Sequence, residues 1–266
     1  LINAAVLGSP ISHSLSPRLH AAAYKFLNIK GTYTSFDVPS GSLQNFLSNK
    51  DSEWTGFSLT MPLKEEALSC ADIIDPLVQK IRSGNTLLNQ DGKWSLFSTD
   101  VLGFKNAVST NNVNAPSSVL IIGSGATARA AVAAFDSSNT TIYVLHRNSE
   151  RENSIRQCAQ SSSITFLPWE FTADIYNFDL VVNTTPKYAI DDFAQRLSRK
   201  PTGTYFDVIY DPWPTNFAYS WAHNGGNVIG GLDLLIAQGI EQIRIFTGAQ
   251  LRTAELTSYL KSELKI

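Results

Sequence analysis

The clearest chemical signal in this 266-residue chain is an apolar run, Val119 to Ile122, followed by Gly123-Ser124-Gly125-Ala126-Thr127-Ala128 and an alanine-rich stretch. Spaced Gly-x-Gly-x-x-Ala, these residues make a strand, a turn and a helix of the kind that holds a dinucleotide. The first glycine permits the turn, the second lets the backbone approach a pyrophosphate, and Ala128 allows helix to pack closely on strand. The phosphates rest on the helix N-terminus, where unpaired N–H groups and the helix dipole favour negative charge. The same triplet can mark an ordinary tight turn, so its context decides. A second apolar run, Thr141 to Leu145, begins about one helix length later, the spacing of a βαβ unit. It ends in His146-Arg147-Asn148-Ser149-Glu150-Arg151. An NAD site ordinarily carries Asp or Glu near this point for the ribose 2′-hydroxyl. Arg147 and Arg151, one helical turn apart, instead suit a 2′-phosphate gripped bidentately. The expected cofactor is therefore NADP, with two solvated surface arginines as the alternative.

Three further groups could bear on a small substrate. Ser14 and Ser16 precede Pro17 and a helical pattern with Leu19, Ala23, Phe26 and Leu27 on one face. Ser16 suits an N-cap and Pro17 the first helical position. A cap needs one hydroxyl, and two at a helix N-terminus also make a cradle for a carboxylate. In Gly56-Phe57-Ser58-Leu59-Thr60-Met61-Pro62-Leu63-Lys64, a strand would point Ser58 and Thr60 to the same side. Pro62 then starts a helix with Lys64 in its first turn, the unfavourable end of the dipole for a cation. A solvated lysine would tolerate that place, and a functional one would be tuned by it. Thr99 and Asp100 precede another helix, which either could cap.

The elements around these residues alternate. After residue 115, strand candidates at Ile164–Leu167, Asp179–Asn183, Thr204–Tyr210 and Asn227–Ile229 predict a doubly wound sheet. The first hundred residues predict a separate α/β domain, with strands at Ile2–Leu7 and Thr32–Val38, a short helix at Ser42–Leu47, and a hairpin turning at Asp91-Gly92. A cleft between the two domains is the expected site. A long helix over Leu232–Phe246 and a closing helix from Ala249 follow. A formal charge of −2 without a basic run argues against nucleic acid. Two distant cysteines and four scattered histidines argue against a disulfide scaffold or a metal site, and favour a cytoplasmic compartment. No signal peptide or transmembrane segment is expected.

Taken together, the motifs resemble the shikimate dehydrogenase family, collinearly over nearly the whole chain. The resemblance rests on Gly8-Ser-Pro-Ile-Ser-His-Ser14-Leu-Ser16-Pro17, Leu59-Thr60-Met-Pro-Leu-Lys64, Gly84-Asn85-Thr86 and Ser98-Thr99-Asp100-x-x-Gly103. The glycine turn, Arg147 with Arg151, and Gly231-Leu-x-Leu-Leu-x-x-Gln238 complete it. It implies reduction of 3-dehydroshikimate to shikimate with NADPH in aromatic amino-acid biosynthesis, by a monomer or homodimer. It also implies a substrate-binding domain over 1–101, completed by 232–266, and a Rossmann NADP domain over 102–231. Ser14 and Ser16 would bind the substrate carboxylate, and Thr60, Asn85 and Gln238 the ring hydroxyls, with Ser58 and Tyr210 close by. Lys64 and Asp100 would be the catalytic pair, displacing the solvated-lysine and helix-cap readings. Gly123 to Thr127, Arg147, Asn148, Arg151, Asn183, Thr184 and Gly231 would hold the cofactor. Ser58 stands where many members carry Asn, and His146 and Asn148 flank Arg147 in place of the usual Asn and Thr. Competing readings are a relative acting on quinate or aminoshikimate, and a non-catalytic NADP-binding sensor.

Overall fold

The computed structural model describes residues 1–50 and 52–264. It divides into two units, Leu1–Gly103 with Leu235–Ile266, and Phe104–Leu234. In the first, the chain runs β1 (Ile2–Gly8), α1 (Ser16–Phe26), β2 (Gly31–Asp37), α2 (Leu43–Ser48), β3 (Gly56–Leu59), α3 (Leu63–Glu66), β4 (Ile73–Ile74), α4 (Pro76–Ile81), β5 (Thr86–Gln90), β6 (Lys93–Phe97) and α5 (Asp100–Thr110). The strands form one mixed sheet in the order β2-β1-β3-β5-β6-β4. β1 is parallel to β2 and β3, whereas β5 is antiparallel to both β3 and β6. Ala5, Leu7, Phe57, Leu59, Leu87 and Leu96 pack into a core with Leu43, Leu47 and Leu63 from the helices. The β5–β6 hairpin turns at Asp91 and Gly92, with φ of 54° and 81°. Both central residues are left-handed, the conformation for which Asp-Gly is suited.

The second unit runs β7 (Ser118–Ile122), α6 (Ala126–Phe135), β8 (Thr141–Leu145), α7 (Glu152–Arg156), β9 (Ser163–Leu167), β10 (Leu180–Asn183), α8 (Asp191–Ala194), β11 (Thr204–Asp207), α9 (Asn216–His223) and β12 (Asn227–Ile229). Its six strands are all parallel, in the order β12-β11-β10-β7-β8-β9. Two βαβαβ halves therefore run outward from β7 and β10, and the strand order reverses between them, at the crevice where this architecture binds nucleotides. Val119 to Ile122 are fully buried, as expected for a central parallel strand covered on both faces. α10 (Gly231–Thr247) and α11 (Thr253–Glu263) end the described chain. The chain passes from one unit to the other within α5 and returns within α10.

Several local expectations change. Helix α1 is capped from Leu15, and Ser16 makes no capping hydrogen bond. Instead Ser16 N–H donates to Ser14 Oγ at 3.3 Å, so Ser14 serves the helix start. The strand expected over Thr204–Tyr210 stops at Asp207, whose buried carboxylate accepts from Ile209 N–H and turns the chain. The closing helix begins at Thr253. β4 and α4 have no counterpart in the sequence reading.

Candidate active site

In the first unit the candidate residues collect at the carboxyl ends of β1 and β3 and the entry to β5. Leu7 pairs with Leu59 across the two parallel strands, which therefore end together. The loops that follow are stitched by Thr60 N–H to Leu7 O at 2.9 Å and Ser9 N–H to Met61 O at 3.0 Å. At Gly8 the approach is so close that a Cβ would lie 2.4 Å from Thr60 Cγ2. Asn85 is held at the same end by Leu59 N–H donating to its carbonyl at 2.8 Å. Gly84 N–H donates to Lys64 O at 2.9 Å and so joins α3 to the start of β5.

Lys64 Nζ lies 2.5 Å from Asp100 Oδ2, with the side chains 16% and 5% exposed. An ion pair this sheltered is poorly screened, and removing one partner leaves an uncompensated charge. Asp100 Oδ1 accepts from Asn85 Nδ2 at 2.9 Å. Asn85 Nδ2 also faces Thr99 Oγ1 and Gln238 Oε1, at 2.9 and 3.3 Å. Its Oδ1 accepts from Thr99 N–H at 2.8 Å, which fixes the orientation of the amide. Gln238 Nε2 donates to Leu235 O, so its oxygen must be the atom that faces Asn85 and Thr99. Lys64, Asn85, Thr99, Asp100 and Gln238 thus form one hydrogen-bonded set drawn from α3, the β3–β5 region, the start of α5, and α10. Thr60 begins the loop leading to Lys64, and Ser14 and Ser16 stand at the head of α1, Ser14 half-buried and Ser16 buried. Ser58, expected close to the substrate, has its side chain in a buried hydrogen-bonded set. Its hydroxyl is engaged by Tyr33 and Gln242, at 2.6 and 2.9 Å.

In the second unit, Gly123 has φ of +115°, and a Cβ there would lie 2.6 Å from Thr184 Oγ1. Only glycine suits that conformation and that space. Thr184 donates to Ile122 O from both its N–H and its hydroxyl, joining the loops after β7 and β10 at the reversal of strand order. Gly125 caps α6 without a side-chain hydrogen bond, and the nearest atom to a Cβ built on it is Arg151 Nη1 at 3.8 Å. The N–H groups of the first turn of α6 therefore meet no capping side chain, with Ser124, Ala126 and Thr127 half-buried around them. Arg151 Nη1 donates to Ser124 O at 3.4 Å, which brings its guanidinium to the glycine turn. Arg147 stacks on Trp169, 4.2 Å from the ring centroid, and donates to Ala189 O. His146 and Asn148 brace the loop between the arginines. His146 lies 3.0 Å from Asn148 O and 3.3 Å from Glu152 Oε1, and Asn148 Oδ1 accepts from Glu150 N–H. Asn183 is buried and spends its amide on Asp207 and Thr185, and so supports the crevice from within. At Gly231 a Cβ would lie 2.4 Å from Val208 O, and Gly231 N–H donates to Ile209 O. Tyr210 lies in the same loop region, half-buried. An open glycine turn, an uncapped helix start and two guanidiniums fit the pyrophosphate and 2′-phosphate of NADP. Among the described residues no group of His, Cys, Asp and Glu could hold a metal, and no helix is long and apolar enough to cross a membrane.

Thr99 has a local explanation as a helix cap, and Gln242, Tyr33 and Trp169 carry no local sequence signal of a site role. Gln242 follows Gln238 by one helical turn, a spacing that could have marked both as facing the same way.

Residues 6–87 match the family described as the shikimate dehydrogenase substrate binding domain. The chain is 32% identical over 268 residues to the shikimate dehydrogenase (NADP(+)) of Oleidesulfovibrio alaskensis, covering 97% of this chain and 94% of that protein. The crystal structure of Mycobacterium tuberculosis shikimate dehydrogenase superposes with a TM-score of 0.85 at 31% identity, covering 98% of this chain and 99% of that one. That of the Thermus thermophilus shikimate 5-dehydrogenase in complex with NADP(H) and shikimate gives 0.85 at 28% identity, covering 99% and 100%. The two-domain α/β architecture, the parallel nucleotide-binding sheet and the extent of these matches agree, and the chain belongs to the shikimate dehydrogenase family.

Proposed function

We propose that this protein reduces 3-dehydroshikimate to shikimate reversibly with NADPH, within aromatic amino-acid biosynthesis. The observation that carries the reading is the sheltered Lys64–Asp100 pair, held by Asn85 at one carboxylate oxygen. Bound NADPH would supply a hydride to the ketone carbon, leaving the carbonyl oxygen as the alkoxide. Lys64 places positive charge beside the oxygen that gains the electrons and gives it a proton, the two needs of this reaction. Asp100 keeps the ammonium charged and aimed, and the proton lost is replaced from water, directly or passed through the Asp100 carboxylate. In this reading the unit containing the mixed sheet binds substrate and the all-parallel unit binds the dinucleotide. Ser14 and Ser16 receive the carboxylate, while Thr60, Asn85 and Gln238 surround the ring hydroxyls. The family resemblance also assigns Tyr210 to the substrate. Gly123 to Thr127, Thr184 and Gly231 line the pyrophosphate and nicotinamide side, and Arg147, Asn148 and Arg151 the 2′-phosphate. Asn183 and Ser58 act behind these contacts. The free cysteines, Cys70 and Cys158, fit a reducing cytoplasm, with the enzyme a monomer or homodimer.

Replacing the ammonium tests the assignment. Lys64→Ala is expected to lower turnover by about 10²- to 10⁴-fold, the usual range for a proton-transfer group. NADP affinity, measured by calorimetry, stays as in the wild type because the cofactor residues are untouched. Unchanged turnover would remove Lys64 from the mechanism.

A further inference from the structure

Asn85 is the near end of a buried chain of polar groups that the reaction chemistry does not account for. Tyr33 O–H donates to Ser58 Oγ at 2.6 Å, and Ser58 O–H donates to Gln242 Oε1 at 2.9 Å. Gln242 Nε2 donates to Thr86 Oγ1 at 3.1 Å and to Asn85 O at 3.2 Å. Thr86 O–H donates to Asn85 Oδ1 at 2.9 Å, and Asn85 Nδ2 donates to Asp100 Oδ1 at 2.9 Å. Every member is buried, with Thr86 at 0%, Gln242 and Asn85 at 2%, and Ser58 at 3% exposure.

The direction of the chain is set by backbone groups. Asn85 O can only accept, so Gln242 must turn its Nε2 toward Asn85 and its oxygen toward Ser58. Thr99 N–H can only donate, so Asn85 must turn its oxygen there and its Nδ2 toward Asp100. Ser58 and Thr86 each have one proton, and each gives it forward. At the far end burial raises the Tyr33 phenol above its ordinary range, so it keeps the proton that it donates. His20 stacks on the Tyr33 ring at 3.8 Å and 10°, and holds it in place. The links thus donate in one sense, from Tyr33 on β2, through β3, α10 and β5, to the carboxylate paired with Lys64. Aligned hydrogen bonds polarise one another and are most effective where water is excluded.

We propose that Tyr33, Ser58, Gln242 and Thr86 are positioning residues for the reaction, a one-way hydrogen-bond relay that fixes Asn85 and thereby the orientation of the Asp100 carboxylate toward Lys64. The inference rests on the dehydrogenase reading above. It also gives Ser58 a role in place of direct contact with substrate, since its hydroxyl is spent on both neighbours.

The test uses the full chain with Tyr33→Phe, Ser58→Ala, the double variant and Gln242→Glu. For each, kcat and KM for shikimate and NADP, the solvent deuterium isotope effect on kcat, and Tm are measured. Tyr33→Phe removes one hydroxyl and keeps the stacked ring, so the fold survives. Tyr33→Phe and Ser58→Ala are each expected to lower kcat by about tenfold, the scale of one buried hydrogen bond. KM for NADP stays within about twofold, because the cofactor residues lie elsewhere. The isotope effect rises as proton transfer becomes slower. The double variant falls no further than the worse single one, because one break already interrupts a chain whose members act as a unit. Gln242→Glu loses about 100-fold, because a carboxylate cannot donate to Asn85 O and buries a charge. Lower Tm with unchanged kcat, or losses that multiply in the double variant, would overturn the relay while leaving the dehydrogenase reading in place. A wild-type protein inactive on shikimate would overturn both.

Discussion

An ammonium 2.5 Å from a carboxylate, both largely out of solvent, is costly to assemble unless each remaining polar atom has a partner. Here Asn85 supplies that partner for Asp100, and Thr99 and Gln238 orient Asn85. His20, stacked on Tyr33, makes a separate prediction about stability. Burial pulls the His20 pKa down to about 3, so the folded protein holds this imidazole neutral. A group with a lowered folded pKa that is neutral when deprotonated contributes fully above its unfolded value, near 6.5. The contribution is lost as pH falls from there toward the folded value. By pH 5 the loss is about 2 kcal/mol, at about 1.4 kcal/mol per pH unit. Thermal melts between pH 7 and 5 should therefore show a fall in Tm that is shallower in His20→Phe, a change that keeps an aromatic ring against Tyr33. Parallel pH dependence in the two proteins would show that His20 is not the group being titrated. At this scale the sequence was only partly legible. Lys64 and Asp100 had ordinary local explanations, as a solvated lysine and a helix cap, and their pairing became readable only through the family motifs. Gln242 stayed hidden because its partner Asn85 is 157 residues away.

At the level of elements, the turn after β7 was the most legible feature, because its demands are local. Gly123 needs a left-handed φ and a missing Cβ, and both appear in its residue type. Gly123→Ala would force a side chain to 2.6 Å from Thr184 Oγ1 at a φ of +115°. The expected result is a stability loss of about 1–3 kcal/mol and weaker NADP binding, with little change at the Lys64 site. Melting curves and NADP titration would check it, and a variant with wild-type values for both would contradict the close packing of the two loops. The Asp91-Gly92 hairpin was legible for the same reason, since its left-handed residues are those the turn requires. The start of α1 was not. Ser16 followed by Pro17 looks like a cap, but Ser14 accepts the Ser16 N–H, and the pattern cannot say which of two nearby serines turns inward. β4, with two residues, is too short to show a period.

For the molecule as a whole, one sheet is parallel, with its strand order reversed between β7 and β10, and the other is mixed, with the candidate residues at its strand ends. The alternation of elements after residue 115 made the first architecture legible, because each crossover helix and strand has its own period. The mixed sheet was harder to read, since the pairing of β5 with β3 is a long-range choice that no local pattern encodes. Fold alone does not fix a reaction, and the site residues must carry that claim. The most direct test is the change in reduced-nicotinamide absorbance on adding the purified protein to shikimate or quinate, each with NADP or NAD. Strong turnover with shikimate and NADP, and weak turnover in the other three mixtures, is the predicted result. Preference for NAD would contradict the 2′-phosphate role of the two arginines, and preference for quinate would contradict the shikimate reading. Silence in all four mixtures, with NADP still bound, would contradict catalysis itself and favour a nucleotide-binding sensor.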